Sequence, residues 1–115
     1  MSGTAGVGEV TDATFADRVR GADVPLLVKF TASWCGSCRQ LGPVLSAVAA
    51  EEEGRLEVVE IDVDSNPETA VAYGVLAMPT LMLFVGGEPV KSMVGARSKR
   101  RLLQELEDVR LEDVR

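Results

Sequence analysis

The chain has 115 residues, 46% of them hydrophobic, enough for one buried core and too few for two. A formal net charge of -6 argues against nucleic acid or an anionic membrane as principal partner, because both select a basic face. With no histidine and two cysteines, Cys-His nucleophiles, histidine proton shuttles and one-chain zinc sites of mixed or all-thiolate type are excluded.

Residues 1–6 are small and read as a flexible lead-in. They show neither a basic n-region nor an apolar h-region, and no apolar run reaches spanning length, so a soluble cytoplasmic protein is expected. Val7 to Val10 predicts a short edge strand. Thr11 or Asp12 then serves as N-cap of a helix burying Phe15 and Val19, which Gly21 ends. Val24 to Thr31 reads as a strand apolar on both faces, the pattern of a sheet centre covered by helices, with Lys29 its one anomaly.

Directly after that strand comes Trp34-Cys35-Gly36-Ser37-Cys38, which holds both cysteines. A strand-to-helix junction here puts Cys35 at a helix N-terminus, where unpaired amides and the macrodipole favour a thiolate over a thiol. Cys38, one turn further on, is placed to resolve what Cys35 attacks. The helix continues through Leu41, Val44, Leu45, Val48 and Ala49 to Gly54, and Pro43 inside it removes one backbone hydrogen bond and predicts a kink. Leu56 to Val63 alternates as the next strand, with Glu57, Val59, Ile61 and Val63 on one face and Leu56, Val58 and Glu60 on the other.

Asn66-Pro67 and Gly74 frame a short helix, with Asn66 as its cap. Thr80 to Val85 and Val90 to Val94 make an antiparallel hairpin about Gly86-Gly87, in which Pro89 requires an edge. Ser98 opens a last helix whose stripe is Leu102, Leu103, Leu106 and Val109. The chain closes on a direct repeat, Leu-Glu-Asp-Val-Arg at 106–110 and again at 111–115. A five-residue step turns a helix about 140° out of register at roughly 100° per residue, so 111–115 reads as an exposed tail beyond a domain of residues 7–110.

Trp34-Cys35-Gly36-x-Cys38 with Pro43, Asp64 before Asn66-Pro67, Met78-Pro79-Thr80, Phe84-x-Gly86-Gly87 and Val94-Gly95 together resemble the thioredoxin family, from about Val7 to Val109. The resemblance implies an α/β fold, a central mixed five-stranded sheet flanked by four helices. It implies a protein disulfide reductase that works as an electron carrier, binds no cofactor, and uses a redox-active Cys35-Cys38 disulfide recharged by an NADPH-dependent thioredoxin reductase. Cys35 is then the nucleophile and Cys38 the resolving thiol. Trp34, Gly36, Ser37, Ala77, Met78, Pro79 and Gly95 become the surface that binds clients with disulfides, and a cis Met78-Pro79 bond faces the cysteines. A monomer is expected.

Three positions depart from the family pattern. Ser37 replaces a proline, keeping an amide and adding a hydroxyl, which predicts a somewhat less reducing site. Thr31 replaces a tryptophan. Lys29 stands where the family has a buried aspartate, and Glu60 where it has the neighbouring lysine. The signs are exchanged, and Glu60 or neutral Lys29 becomes the candidate proton acceptor for Cys38. Competing readings are a binding or assembly subunit that uses the apolar patch alone, a disulfide oxidase or isomerase, and two chains pooling four thiolates on one metal.

Overall fold

The computed structural model describes residues 4–113, and side chains as far as Val109. Alternating apolar strands and amphipathic helices settle into β1 (Gly8–Glu9), α1 (Phe15–Arg20), β2 (Leu26–Thr31), α2 (Gly36–Glu51), β3 (Glu57–Asp62), α3 (Pro67–Ala72), β4 (Thr80–Val85), β5 (Glu88–Val94) and α4 (Lys99–Asp113). The sheet order is β1-β3-β2-β4-β5. β2 runs parallel to β3 and antiparallel to β4, so the sheet is mixed and β2 is central, as its run of buried residues requires.

Side-chain alternation divides the core into two layers. Leu26, Val28 and Phe30 of β2 face α1 and α3 together with Val59, Ile61, Met82 and Phe84. Leu27 faces α2 and α4 with Val58, Leu81 and Leu83, against Leu41, Leu45, Leu102 and Leu106. Register then places Lys29 opposite Glu60 of β3 and Leu81 of β4. The anomalous lysine therefore points into the layer under α2, and its partner is the neighbouring acid on the same face.

Several local expectations change. α1 is capped at Thr14, not at Thr11 or Asp12, because Thr11 and Thr14 bond each other: the Thr11 amide donates to Thr14 Oγ1 at 2.9 Å and the Thr14 amide to Thr11 Oγ1 at 3.3 Å. Asp12 is thereby free to cap α3, accepting from the Glu68 amide at 3.1 Å, the Thr69 amide at 2.9 Å and Thr69 Oγ1 at 2.6 Å. Asn66 makes no side-chain cap to α3 and accepts instead from the Asp12 amide at 2.9 Å. Desolvation alone would raise the Asp12 pKa, but its hydrogen bonds to Thr69 and Glu68 hold it below the ordinary value.

β1 is shorter than Val7 to Val10, since Val7 and Val10 are buried at its ends and only Gly8 and Glu9 pair with β3. The hairpin strand begins earlier than expected, at Glu88, and takes in Pro89 through a register shift beside Leu83 and Phe84 at the sheet edge. Gly86 and Gly87 both have positive φ, 60° and 85°, as a two-residue type I′ turn requires. α4 continues through Asp113, so its backbone stays helical into the repeat. The expected exposure of 111–115 and the looseness of residues 1–3 lie outside the described residues and side chains.

Candidate active site

β2 ends at Thr31 and α2 starts at Gly36, and the four residues between them carry the chain past the end of the central strand. Cys35 is the N-cap of α2 in an extended conformation, φ -93° and ψ 108°, with its amide tied to the Ala32 carbonyl at 3.2 Å. In the cap position its sulfur accepts from the Cys38 amide at 3.2 Å. A helix N–H with no intrahelical partner is thus aimed at the Cys35 sulfur.

Cys35 and Cys38 form a disulfide with their Cα atoms 5.3 Å apart. Both are buried, at 5% and 1% exposure, against Ala32, with Val63 and Met78 packed on them. Gly36 and Ser37, the first residues of α2, are exposed, and Ser37 Oγ lies 3.5 Å from Cys35 Sγ. Arg39 steadies the approach loop by donating to the Ser33 carbonyl at 2.9 Å. Trp34 is 65% exposed beside the cysteines, an apolar ring held at the surface and not in the core.

The second wall of the site comes from the β4 entry. Met78-Pro79 is cis, Pro79 is buried, Met78 half-buried and Ala77 exposed. Thr80 Oγ1 donates to the Ala77 carbonyl at 2.6 Å, and the Gly95 amide donates to the Pro79 carbonyl at 2.8 Å. Gly95 has φ +98°, a conformation open to glycine, and this lets the end of β5 turn towards Pro79. Leu76, at 95% exposure, extends the apolar rim next to Ala77.

Beneath the cysteines, Lys29 Nζ donates to the Cys38 carbonyl at 2.8 Å and lies 3.7 Å from Glu60 Oε2. Burial lowers the Lys29 pKa against the opposing pull of the Glu60 carboxylate. It raises that of Glu60, with Lys29 opposing and Glu9 and Asp62 adding to the rise. The pair lines a cleft of about 520 Å³ whose other residues include Thr31, Arg39, Asp62 and Asn66. A second cleft of about 530 Å³, against Gly6, Ala49, Gly54 and Val58, holds no thiol.

The fold brings Met78 against the two cysteines, Gly95 to Pro79 next to it, and Lys29 with Glu60 beneath the Cys38 carbonyl. Sequence reading missed Arg39 and Leu76, and with them a part-buried pair. Arg97 and Glu105 form an ion pair behind Gly95 in which Nη1 alone donates to both carboxylate oxygens at 2.7 Å. No periodicity links an arginine before a helix to a glutamate eight positions on, so only the packed structure reveals them. Among the described residues no group of three or more cysteine or carboxylate side chains could hold a metal ion. The same residues include no helix long and apolar enough to cross a membrane.

Comparison with known proteins agrees with this geometry. The family model Thioredoxin matches residues 6–108. The chain is 50% identical over 101 residues to a thioredoxin of Mycobacterium tuberculosis, covering 88% of this chain and 87% of that one. To Thioredoxin 1 of a Nostoc species it is 48% identical over 99 residues, 86% and 92% of the two chains. It is also 48% identical over 101 residues to a bifunctional thioredoxin reductase/thioredoxin of Mycobacterium leprae. There it covers 88% of itself but spans only 22% of the relative's length. With a dithiol at a helix cap, a cis-proline wall opposite it, and likeness of this extent to several thioredoxins, the chain belongs to the thioredoxin family and carries its dithiol-disulfide oxidoreductase centre.

Proposed function

We propose that the chain is an electron carrier that reduces disulfides in client proteins and is recharged by an NADPH-dependent thioredoxin reductase. The observation that carries this reading is the Cys35-Cys38 disulfide capping α2, bordered by exposed Trp34 and the cis Met78-Pro79 wall. In the reduced protein the Cys35 thiolate attacks one client sulfur, breaking the client disulfide and releasing its other sulfur as thiolate. Cys38 then attacks Cys35 Sγ and expels the second client thiol, leaving the internal disulfide with two electrons passed on. The reductase restores both thiols with two electrons from NADPH. A relative whose name couples reductase and thioredoxin in one protein supports that pairing.

Trp34, Gly36, Ser37, Ala77, Met78, Pro79 and Gly95 form the docking surface in this reading, and an extended client segment adds along the backbone before Pro79. Glu60 takes the Cys38 proton: Lys29, which bonds the Cys38 backbone carbonyl and pairs with Glu60, keeps that carboxyl beneath the cysteines, and the cleft lined by the pair gives the proton a way out. Residues 7–110 are the working domain, in a cytoplasmic protein, with residues 1–6 a lead-in and 111–115 a tail.

The test is reduction of insulin by dithiothreitol, together with NADPH consumption in the presence of a thioredoxin reductase. The wild type should accelerate the first and support the second. Cys35→Ser should fall to the uncatalysed rate, and Cys38→Ser should accumulate a mixed disulfide with the client. A wild type no faster than Cys35→Ser, or a dithiol potential far on the oxidising side, would overturn the reading in favour of a binding subunit or an isomerase.

A further inference from the structure

Arg97 lies outside the cysteine turn and outside every motif above, yet its side chain is only 3% exposed at the rim of the site. A guanidinium withdrawn from water is costly unless its donors are met, and here each nitrogen has a partner. Nη1 donates to both Glu105 carboxylate oxygens at 2.7 Å, Nη2 to the Val94 carbonyl at 2.6 Å, and Nε to the Gly95 carbonyl at 3.2 Å. Glu105 sits on α4 between Leu102 and Leu106, both buried in the core. The fork is therefore anchored on a helix through the Glu105 side chain, and its other two nitrogens grip backbone.

What it grips matters. Gly95 has no side chain to hold it and a positive φ, so its position depends on its own amide and carbonyl. The carbonyl goes to Arg97, and the amide goes to the Pro79 carbonyl at 2.8 Å. Glu105, Arg97, Gly95 and Pro79 make one continuous chain of bonds from α4 to the wall facing the cysteines. An ion pair serving only to fasten α4 would need no bonds to the two carbonyls of the rim.

We infer that Arg97 is a positioning residue for client selection: the Arg97-Glu105 latch holds the Val94-Gly95 backbone beside Pro79 in the arrangement that receives an extended client segment. This rests on the client-reduction reading above. A small disulfide, which touches the sulfurs but does not lie along the rim, should be indifferent to the latch. A lysine in its place supplies one ammonium where three nitrogens now act, and so restores only part of the grip.

The experiment uses the full chain as wild type, Arg97→Leu, Arg97→Lys and Glu105→Gln. It measures KM and kcat for insulin and for a small aromatic disulfide, the dithiol reduction potential, and hydrogen exchange at the Gly95 amide. Arg97→Leu should raise KM for insulin about five- to tenfold, the size of a lost charge-assisted contact. Its kcat, potential and small-disulfide rate should stay with the wild type, Gly95 exchange should quicken, and Arg97→Lys should fall between. Equal losses on both substrates, or an unchanged insulin KM, would overturn the latch. Should Arg97→Leu fail to fold, Glu105→Gln and Arg97→Lys carry the same comparison. A wild type active on the small disulfide but not on insulin would sink the client reading and the latch together; an active wild type with indifferent variants sinks the latch alone.

Discussion

Lys29 and Glu60 face each other in register on β2 and β3, in a layer otherwise lined by Leu27, Val58 and Leu81. Burial pushes both towards their neutral forms, so each costs stability over the pH range in which the folded and unfolded chains differ in its protonation. As pH rises from the ordinary carboxylate pKa to the raised one of Glu60, the unfolded chain has already lost its proton while the folded one keeps it, and stability falls. As pH falls from the ordinary lysine pKa to the lowered one of Lys29, the unfolded chain binds its proton first, and stability falls again. Removing one partner strands the other charge, so Glu60→Gln should lose about 3 kcal/mol in urea titration, whereas Lys29→Met with Glu60→Leu should recover that loss. If Glu60 also takes the Cys38 proton, Glu60→Gln slows release of the mixed disulfide in single turnovers while the initial attack keeps its rate. The pair was legible through the family resemblance, and strand register sets the two opposite each other; that Lys29 also grips the Cys38 carbonyl follows from how α2 packs over the sheet.

At the level of elements, α3 is capped from the neighbourhood of α1, and the approach to α1 is tied in turn to Asn66 before α3. Thr11 and Thr14 occupy each other, Asp12 caps α3 across 57 positions, and Asn66 answers by accepting from the Asp12 amide. Each residue type suited its own helix start, and spacing alone cannot tell a local cap from one delivered by the chain folded over it. The Asp12 pKa is lowered in the folded protein, so its contribution is present above the ordinary aspartate pKa and is lost as pH falls through the lowered one. Asp12→Asn should therefore be less stable than the wild type at pH 7, with the gap closing in acid; thermal unfolding at several pH values checks it. A gap that persists below the lowered pKa would mean that the hydrogen bonds, and not the charge, stabilise α3. By contrast the boundaries of β2, α2 and β4 came out within two or three residues of expectation, because each carries a continuous apolar run or a clear stripe.

For the whole molecule, the sheet edges decide how copies behave. β1 offers only two residues, and β5 is interrupted by Pro89 and a register shift, so neither edge is a good template for another strand. Both cysteines are spent on the internal disulfide, leaving no thiol to link chains in the oxidised protein. Sedimentation equilibrium of the oxidised protein at tens of micromolar should give a single species near 12.3 kDa. A dimer that survives there would point instead to association through the apolar rim of Trp34 and Leu76.

Sequence alone determined a central strand covered by helices, the placing of Cys35 at a helix start and the hairpin at Gly86-Gly87, while the mixed five-stranded sheet came with the family resemblance. Those first three are written in local terms: apolar period, a cap position, a residue that tolerates positive φ. Resemblance added the wall at Met78-Pro79 and the client chemistry. Resemblance had also paired Lys29 with Glu60, and the structure shows the two in contact; tertiary structure alone decided the other meetings across the chain: Lys29 with the Cys38 carbonyl, Asp12 with α3, and Arg97 with Glu105 and the carbonyls of Val94 and Gly95. Those contacts join residues distant in sequence or set across an element boundary, where no period runs. They form because buried polar groups must find partners, and which partner is in reach depends on how the layers pack.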